Sequence, residues 1–388
     1  MEKTFADFDG CWGENARLAW DALEFRATRG IPTKAMNLMV VPLLEAVAGA
    51  APGDYEKAPE RVYRDFQLRC GACSLDQWIP RNPLTMTARG FDAHAQRRAT
   101  TGAEEIVVDE IVINSPEAVV EHMERVLFPR FERQIANTDP ASNEAVAQLV
   151  RQEVEVQEFF GMNMLKIPYH GFQSIPAFLY STYGYANYFM AYALYPDVME
   201  RCFRLQADFG ERRNATAARA ILKGGLPRLK RLDHDMCDSR GTLVDVRTLD
   251  RIWFPHFARC IRPFLDAGVR LIWHCDGNVM DMVPRLIEAG VSGFQGFQYE
   301  DGVDYPAICR MTGRDGNPLM IWAGVSVTTT LPRGAREDVV KDLKWLVEHG
   351  PPVGLFLGAS SSIAPATNPE NVRALIEGLA YYREHGRD

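Results

Sequence analysis

Short apolar runs alternate with amphipathic stretches through the second half of the chain. Every run ends in polar or small residues, and the runs occupy positions 229–232, 269–273, 293–297, 319–322 and 353–357. Stretches with apolar residues at helical spacing lie between and after them, at positions 247–267, 279–289, 305–312, 334–349 and 369–385. A strand, a polar tip and a helix repeated in this way predict consecutive parallel βα units.

Five consecutive βα units favour an α/β fold of the (β/α)8 TIM-barrel type, with its active site at the carboxyl ends of the strands. An open, doubly wound sheet produces the same local pattern and is the alternative. The first 100 residues are less regular, with a first strand predicted at 36–41 and a helix after Pro42. We therefore expect one TIM-barrel domain over 1–388, with a partly irregular N-terminal elaboration at 1–100.

Composition narrows the class of protein. The 388 residues are 47% hydrophobic, which allows a large buried core, and the net charge of −8 without a long basic run argues against a nucleic-acid surface. No apolar stretch approaches the length of a membrane span, and the first residues lack the blocks of a signal peptide. Eight cysteines without such a signal suggest reduced thiols and a cytoplasmic location. The lone CxxC at 70–73 is interpreted as two small buried residues on a helix, because no second CxxC accompanies it.

The apolar run at 269–273 ends in the most reactive cluster of the chain, His274-Cys275-Asp276-Gly277-Asn278. Side chains alternate along a strand, so His274 and Asp276 point to one side and Cys275 to the other. An imidazole and a carboxylate that leave one strand together can bind a metal ion or act as an acid/base pair. Asp235 follows the preceding apolar run in the same manner, and we expect it to be a catalytic residue beside them.

Other side chains at predicted strand ends are candidates for substrate binding. They lie at the ends of the last three apolar runs: Gln298, Trp322, Ser361 and Ser362. Tyrosines also crowd positions 180–195, and their buried hydroxyl groups need partners. Tyr183 is the tyrosine that we expect to line a pocket.

Three segments of the second half carry a resemblance to a known superfamily. They are 274–278 followed by 286–291, the stretch 361–372, and the stretch 233–241 with Pro255 on the next predicted helix. The first resembles the signature region of the uroporphyrinogen decarboxylase superfamily, the second its C-terminal ending, and the third the region before the signature. The resemblance covers 160–388 well and the first third weakly, and it implies a TIM barrel.

This superfamily contains two chemistries. Uroporphyrinogen decarboxylases remove carboxylates from a porphyrinogen without a cofactor, whereas corrinoid-dependent methyltransferases move methyl groups to or from cobalt. Arg26 and Arg29 stand near the place of the arginine-rich segment of the decarboxylases, but the run Arg-Gln-Ala-Gly-Arg is absent. The chain is therefore more similar to the methyltransferase branch, and it resembles methylcobamide:coenzyme M methyltransferases.

The resemblance also implies a metal site. Methyltransferases of this kind hold zinc with a His-x-Cys pair and a later Cys, and on this sequence the three positions fall at His274, at Asp276 and near Ser361. Because serine is a poor zinc ligand, we expect Glu300 to complete a site of His274, Asp276 and Glu300 for zinc or another divalent metal. A metal-free site, in which His274 and Asp276 transfer protons, is the alternative.

The function implied by this resemblance is transfer of a methyl group between a small substrate, as donor or acceptor, and a corrinoid. A separate partner protein is expected to carry the corrinoid, because the nearest match to the cobalamin motif Asp-x-His-x-x-Gly, at 92–97, has Arg97 in place of the glycine. Asp235 and Gln298 would position the substrate, and Ser361 and Ser362 would line the opposite wall. The alternatives are a cofactor-free decarboxylase or lyase acting on a carboxylated ring, and a non-enzymatic barrel that binds a tetrapyrrole or corrinoid.

Overall fold

A computed structural model describes residues 3–87, 90–91, 106–169, 171 and 174–387 of the chain. Five parallel strands form the main sheet. In chain order they are β3 (Leu229–Asp233), β4 (Arg270–His274), β5 (Gly293–Gln295), β6 (Met320–Val325) and β7 (Leu355–Ala359). Each strand pairs with the next one along the chain, so the spatial order follows the sequence order. All five lie on the predicted apolar runs, which confirms an α/β fold with a parallel sheet.

The first half of the chain contributes shorter parallel segments. Strand β1 (Ser74–Leu75) pairs with strand β2 (Leu165–Lys166). Two single bridges, Thr33 with Leu357 and Lys34 with Ser74, join this pair to β7 through residues 33–34. The predicted first strand at 36–41 is therefore displaced to 33–34. The Ala35 N–H still donates to the carbonyl oxygen of Ser74 at 2.8 Å, and the chain then leaves the sheet. The Met36 N–H bonds to the Gln67 side chain, and the Met39 N–H bonds to the carbonyl oxygen of Ile363.

Residues 33–34 and strands β1 to β7 thus form one series of eight parallel segments, which begins at β2 and ends at β3. A closed barrel requires these two ends to pair. Among the described residues no backbone hydrogen bond joins β2 to β3. A side chain connects them instead, since Lys230 Nζ donates to the carbonyl oxygen of Tyr169 at 2.7 Å. Closure of the barrel stays a prediction.

Helices surround the strands. Those of eight residues or more are Glu14–Leu23, Val41–Ala48, Pro59–Arg69, Phe128–Asn137, Asn143–Phe160, Tyr185–Leu194, Pro196–Gly224, Phe254–Asp266, Arg336–His349 and Pro369–His385. The shorter α-helices are Asp54–Lys57, Pro116–His122, Tyr180–Tyr183, Val246–Ile252, Val283–Ala289, Tyr305–Cys309 and Thr330–Arg333. Single turns of other helix types occur at Phe5–Phe8, Asn82–Leu84, Met123–Leu127 and Tyr299–Asp301. Two-residue antiparallel ribbons pair Met86–Thr87 with Gly90–Phe91, Val107–Val108 with Ile111–Val112, and Cys237–Asp238 with Gly241–Thr242.

The helix predicted at 247–267 is interrupted. It consists of Val246–Ile252 and Phe254–Asp266, with Trp253 between them at φ −120° and ψ −55°. Pro255 explains the break, because proline has no backbone N–H and is tolerated only in the first turn of a helix. Trp253 is buried at the break, and its indole N–H donates to the carbonyl oxygen of Pro176 at 3.0 Å.

One connected set of buried apolar side chains extends from Phe5 to Leu379. On β4 the alternation of side chains is visible: Trp273 packs against Trp253 and Phe257 on the helix side, so His274 faces the opposite side of the sheet. The cysteines of the CxxC, at 70 and 73, are buried and free. In the described part of the chain no helix is both long and apolar enough to cross a membrane.

Candidate functional site

The parallel register aligns several polar side chains at the carboxyl ends of the strands. His274 lies opposite Asp233 on β3 and Gln295 on β5, and Gln295 lies opposite Trp322 on β6. Partners in a parallel register project to the same face of a sheet. The strands therefore bring an imidazole, a carboxylate, an amide and an indole to one level of one face.

Three of the predicted site residues meet at this end of the sheet. Asp235, His274 and Asp276 each offer a ligand atom, and these atoms lie within 4.8 Å of one another. Asp235 Oδ1 accepts a hydrogen bond from the backbone N–H of Asp276 at 2.9 Å, and His274 Nε2 lies 3.9 Å from Asp276 Oδ1. Asp276 Oδ1 is buried without a hydrogen-bond partner among the described residues. We call these three residues the metal group.

The imidazole of His274 is oriented by the neighbouring strand. Its Nδ1 lies 3.3 Å from the carbonyl oxygen of Gln295. If Nδ1 carries the proton and donates to that carbonyl, Nε2 presents its lone pair towards Asp276. The imidazole fits beside the backbone of β5 because Gln295 is followed by a glycine. A Cβ at Gly296 would lie 2.5 Å from His274 Nδ1.

Burial raises the pKa of the Asp276 carboxyl, and the charge of Asp235 acts in the same direction, whereas His274 opposes both. Ser361 Oγ donates to Asp276 Oδ2 at 3.3 Å. Ser361 thus contacts the metal group through Asp276, as its predicted place on the wall of the site implies. A half-buried carboxylate with one buried, unpartnered oxygen is stabilised by a bound cation or by a proton.

Glu300, the predicted third metal ligand, lies outside the metal group. Its carboxylate accepts hydrogen bonds from the hydroxyls of Ser326 and Thr328, in the loop that follows β6. The single helical turn Tyr299–Asp301 carries Glu300 away from the end of β5 towards this loop. Asp235 therefore stands beside His274 and Asp276 where the sequence predicted Glu300.

The remaining predicted substrate residues have structural contacts. Gln298 is buried, and its side-chain oxygen accepts a hydrogen bond from the backbone N–H of Gly277, which holds the loop after β4. Ser362 Oγ accepts a hydrogen bond from Asn37 Nδ2 at 2.8 Å. Trp322 is buried beside the ring of Phe356, and its indole N–H has no partner among the described residues.

Tyr183 is placed differently from its prediction. It is buried, and its hydroxyl forms a 2.8 Å hydrogen bond with His122 Nδ1. Tyr180, at the start of the same short helix, contacts the site instead: its hydroxyl donates to the carbonyl oxygen of Asp235 at 3.3 Å. Tyr180 lines a cleft of about 590 Å³ together with Tyr185, Asp235, Asp276 and Gln298. The density of tyrosines in the sequence correctly indicated this region. The position of each tyrosine on the short helix determines which one reaches the cleft.

His234 lies between Asp233 and Asp235 in the sequence, and its side chain binds a backbone N–H group. Its Nε2 accepts a hydrogen bond from the N–H of Phe178 at 2.7 Å. Burial lowers the pKa of His234 to about 4, so the ring is neutral at physiological pH. His234 therefore orients the 178–180 segment that carries Tyr180.

A group of buried charges was missed by sequence reasoning. Arg231 on β3 forms ion pairs with Asp76 at 2.5 Å and with Asp233 at 2.8 Å, and it donates to Gln295 Oε1 at 3.2 Å. Burial opposes ionisation of Asp76, but Arg231 outweighs it and holds the pKa of that carboxyl well below its usual range. Sequence patterns give little warning, because Arg231 stands inside an apolar run and Asp76 follows a strand of only two residues.

Comparison with known proteins adds information on the fold. No family model matches the chain, and no curated protein sequence matches it. Among solved structures it is similar to a methyltransferase from Methanosarcina mazei, with a TM-score of 0.53 and 15% sequence identity. The match covers 98% of this chain and 99% of that one. At this identity the likeness concerns the fold alone, and the chain shares the fold of that methyltransferase over nearly its whole length.

Proposed function

We propose that this protein is a methyltransferase-like enzyme that transfers a methyl group between a small substrate and a corrinoid carried by a partner protein. The observation that carries the proposal is the metal group, which stands at the carboxyl ends of two neighbouring parallel strands in a fold shared with a protein named as a methyltransferase. The sequence resemblance described above supports the same chemistry. The corrinoid-like stretch 92–97 lies outside the described residues.

The proposal includes a closed (β/α)8 barrel in a single domain. Eight parallel segments in one series are what such a barrel requires. The bond from Lys230 to Tyr169 brings the two ends of that series together. In a closed barrel the metal group lies at the end where enzymes of this architecture place their active sites.

The residues of the metal group fit a divalent ion. Ligand atoms around a tetrahedral zinc ion are roughly 3.4 Å apart, given bonds of about 2.0–2.2 Å. The 3.9 Å between His274 Nε2 and Asp276 Oδ1 is within a small movement of that value. One imidazole and two carboxylates leave a fourth position open, as in catalytic zinc sites. Bound there, the ion would act as a Lewis acid on an oxygen or sulfur atom of the substrate.

The surrounding residues orient and shield the reacting groups. The Gln295 carbonyl fixes the His274 ring, and Ser361 holds the second oxygen of Asp276. Gln298 holds the loop at Gly277, beside Asp276. Tyr180 borders the cleft, and we propose that the substrate enters and the partner protein docks on that side.

A second function is favoured by one observation, the raised pKa of Asp276. A carboxyl group whose pKa is raised retains its proton to a higher pH, which favours action as a general acid. In a cofactor-free decarboxylase or lyase acting on a carboxylated ring, Asp276 would protonate the carbon that loses its carboxylate. The metal content of the protein separates this alternative from the first proposal.

Elemental analysis of protein prepared without chelator and reconstituted with zinc tests the proposal. We expect close to one ion per chain in the wild type and in Glu300→Gln, because Glu300 belongs to the network with Ser326 and Thr328. His274→Ala and Asp235→Asn should lose most of it. The same preparations are then assayed for methyl transfer with a methylated corrinoid protein as donor. A wild type that stays metal-free after reconstitution, or a loss in Glu300→Gln equal to that in Asp235→Asn, would refute the metal group.

A further inference from the structure

Lys34 is a basic side chain that belongs neither to the metal group nor to the ion pairs of Arg231. It stands on the first parallel segment, where its backbone N–H donates to the carbonyl oxygen of Leu357 at 2.9 Å. Its aliphatic stem lies against Gly358 on β7: a Cβ on that glycine would be 2.8 Å from both Cγ and Cε of Lys34. The absent side chain at Gly358 leaves the space through which the lysine runs.

The ammonium group of Lys34 has no hydrogen bond or ion pair to any described residue. It lies in the fields of Arg231, Asp76 and Asp276 without touching them. The charge of Arg231 is already matched by contact with Asp76 and Asp233. Lys34 is thus a half-buried cation without a contacting anion, and the free energy lost by its partial desolvation is not recovered by an ion pair.

Burial, and then the charge of Arg231, lower the pKa of Lys34 to about 8, while Asp76 and Asp276 raise it. The amine is therefore still mainly protonated at neutral pH. When Asp276 binds a divalent ion, the negative charge of Asp276 is neutralised by that ion and no longer stabilises the Lys34 ammonium group. A bound ion therefore makes an anionic partner for Lys34 more favourable.

We infer that Lys34 binds the monovalent oxyanionic group of a small substrate whose reacting atom lies at the metal group. This inference rests on the proposed function and narrows its substrate to a class. A single ammonium group offers one positive charge and no fixed fork of donors, so it suits a monovalent oxyanion. A phosphate carries nearly two negative charges, which is more than one ammonium group can neutralise.

Saturation-transfer NMR titrations with acetate as the probe test the assignment. The titrations use the full chain, once loaded with zinc and once treated with chelator. Replacing Lys34 by Met keeps the bulk and removes the charge, and acetate affinity should fall at least about tenfold, the usual loss for a hydrogen bond to a charged group. Lys344→Met removes an exposed lysine of the helix Arg336–His349 and should leave acetate affinity unchanged.

Gly358→Ala keeps the charge but places a methyl group in the path of the lysine stem. Acetate affinity should fall by a smaller factor than in Lys34→Met. Circular dichroism shows whether Lys34→Met folds. If it does not fold, Gly358→Ala still tests the inference. Methanesulfonate should bind comparably to acetate, and phosphate should bind more weakly.

Wild-type affinity for acetate in Lys34→Met, or phosphate binding as tight as acetate binding, would overturn the inference. So would a wild type that binds neither acetate nor methanesulfonate. If the zinc content is normal but acetate affinity does not depend on Lys34, the inference is wrong and the proposed function still stands. If the protein never takes up zinc but its acetate affinity depends on Lys34, the proposed metal chemistry is wrong and the anion-binding role of Lys34 still stands.

Discussion

At the scale of the residue, Gly296 is the position on which the orientation of His274 depends. Its φ of +83° lies in the left-handed region, and a side chain there would strike the imidazole at 2.5 Å from Nδ1. An alanine at position 296 would be destabilised both by its left-handed backbone conformation and by the steric clash of its Cβ with the His274 ring. The metal group therefore depends on a residue that contributes no functional atom.

We expect Gly296→Ala to lower the free energy of unfolding by about 2–4 kcal/mol and to lose most of the bound metal, because the His274 ring must move. Gly316→Ala is the matched control, since Gly316 has φ +77° and a Cβ added there would meet no other atom within 4 Å. It should cost only about 1 kcal/mol and keep the metal. Denaturant unfolding and elemental analysis measure both effects. Equal losses in the two variants would contradict the orienting role of Gly296.

The sequence reveals some residues of the site and hides others. His274 and Asp276 are predictable, because strict alternation at the end of an apolar run sends both to one side. Glu300 is misplaced in the prediction because a single helical turn after β5 redirects it, and such a turn has no clear signal in one sequence. Arg231 is hidden because its partner Asp76 lies 155 positions away, so their pairing depends on tertiary structure.

At the scale of the element, two helices meet at a position without a side chain. Gly210 of the helix Pro196–Gly224 faces the helix Phe254–Asp266: a Cβ there would lie 2.6 Å from Cys260 Sγ and 2.8 Å from the carbonyl oxygen of Ser174. Asn214, one turn further on, donates to the carbonyl oxygens of Ser174 and Cys260 at 2.9 and 2.8 Å. Close approach and side-chain hydrogen bonds together fix the crossing of these helices.

We expect Gly210→Ala to destabilise the protein by about 1–2 kcal/mol, although the same change on an exposed helix face stabilises by up to about 1 kcal/mol. The sign of the change in the free energy of unfolding is the informative quantity. In a Cys260→Ala background the destabilisation should shrink, because one of the two colliding atoms is gone. A stabilised Gly210→Ala variant would show that the helices do not approach as described.

Elements of the second half are predicted better than those of the first. The strands β3 to β7 and the helix Pro369–His385 follow directly from periodicity. Asn368 caps that helix by accepting a hydrogen bond from the Glu370 N–H at 3.0 Å. The parallel segments of the first half contain only two residues each, which is too short for any alternation to be detected. Their pairing is decided by contacts distant in sequence.

At the scale of the whole molecule, the junction of β2 and β3 differs from the other strand junctions. It is made by side chains: Lys230 donates to the carbonyl of Tyr169, and the ring of Tyr169 lies 4.2 Å from Lys230 Nζ and 4.9 Å from Arg231 Cζ. Burial lowers the pKa of Lys230 well below its usual range. This junction therefore depends on a few long side chains, whereas the other junctions in the series depend on backbone hydrogen bonds.

We expect Lys230→Met to lower the free energy of unfolding by about 1–3 kcal/mol and to increase hydrogen exchange locally, around β2 and Tyr169. Lys344→Met, on the surface, is the control for loss of a lysine and should change neither quantity. Hydrogen exchange followed by mass spectrometry locates the effect. An increase spread evenly over the sheet, or none at all, would argue that Lys230 does not hold this junction.

Tyr169 contacts strand β3 at two points, through its backbone and through its side chain. Its carbonyl oxygen accepts a hydrogen bond from Lys230, and its hydroxyl donates to Asp233 Oδ2 at 3.0 Å, the same oxygen that pairs with Arg231. A ligand that moves Asp233 or Arg231 would therefore also disturb the contacts of Tyr169 with β3. We therefore expect ligand binding beside these charges to be coupled to the contact between the segment after β2 and strand β3.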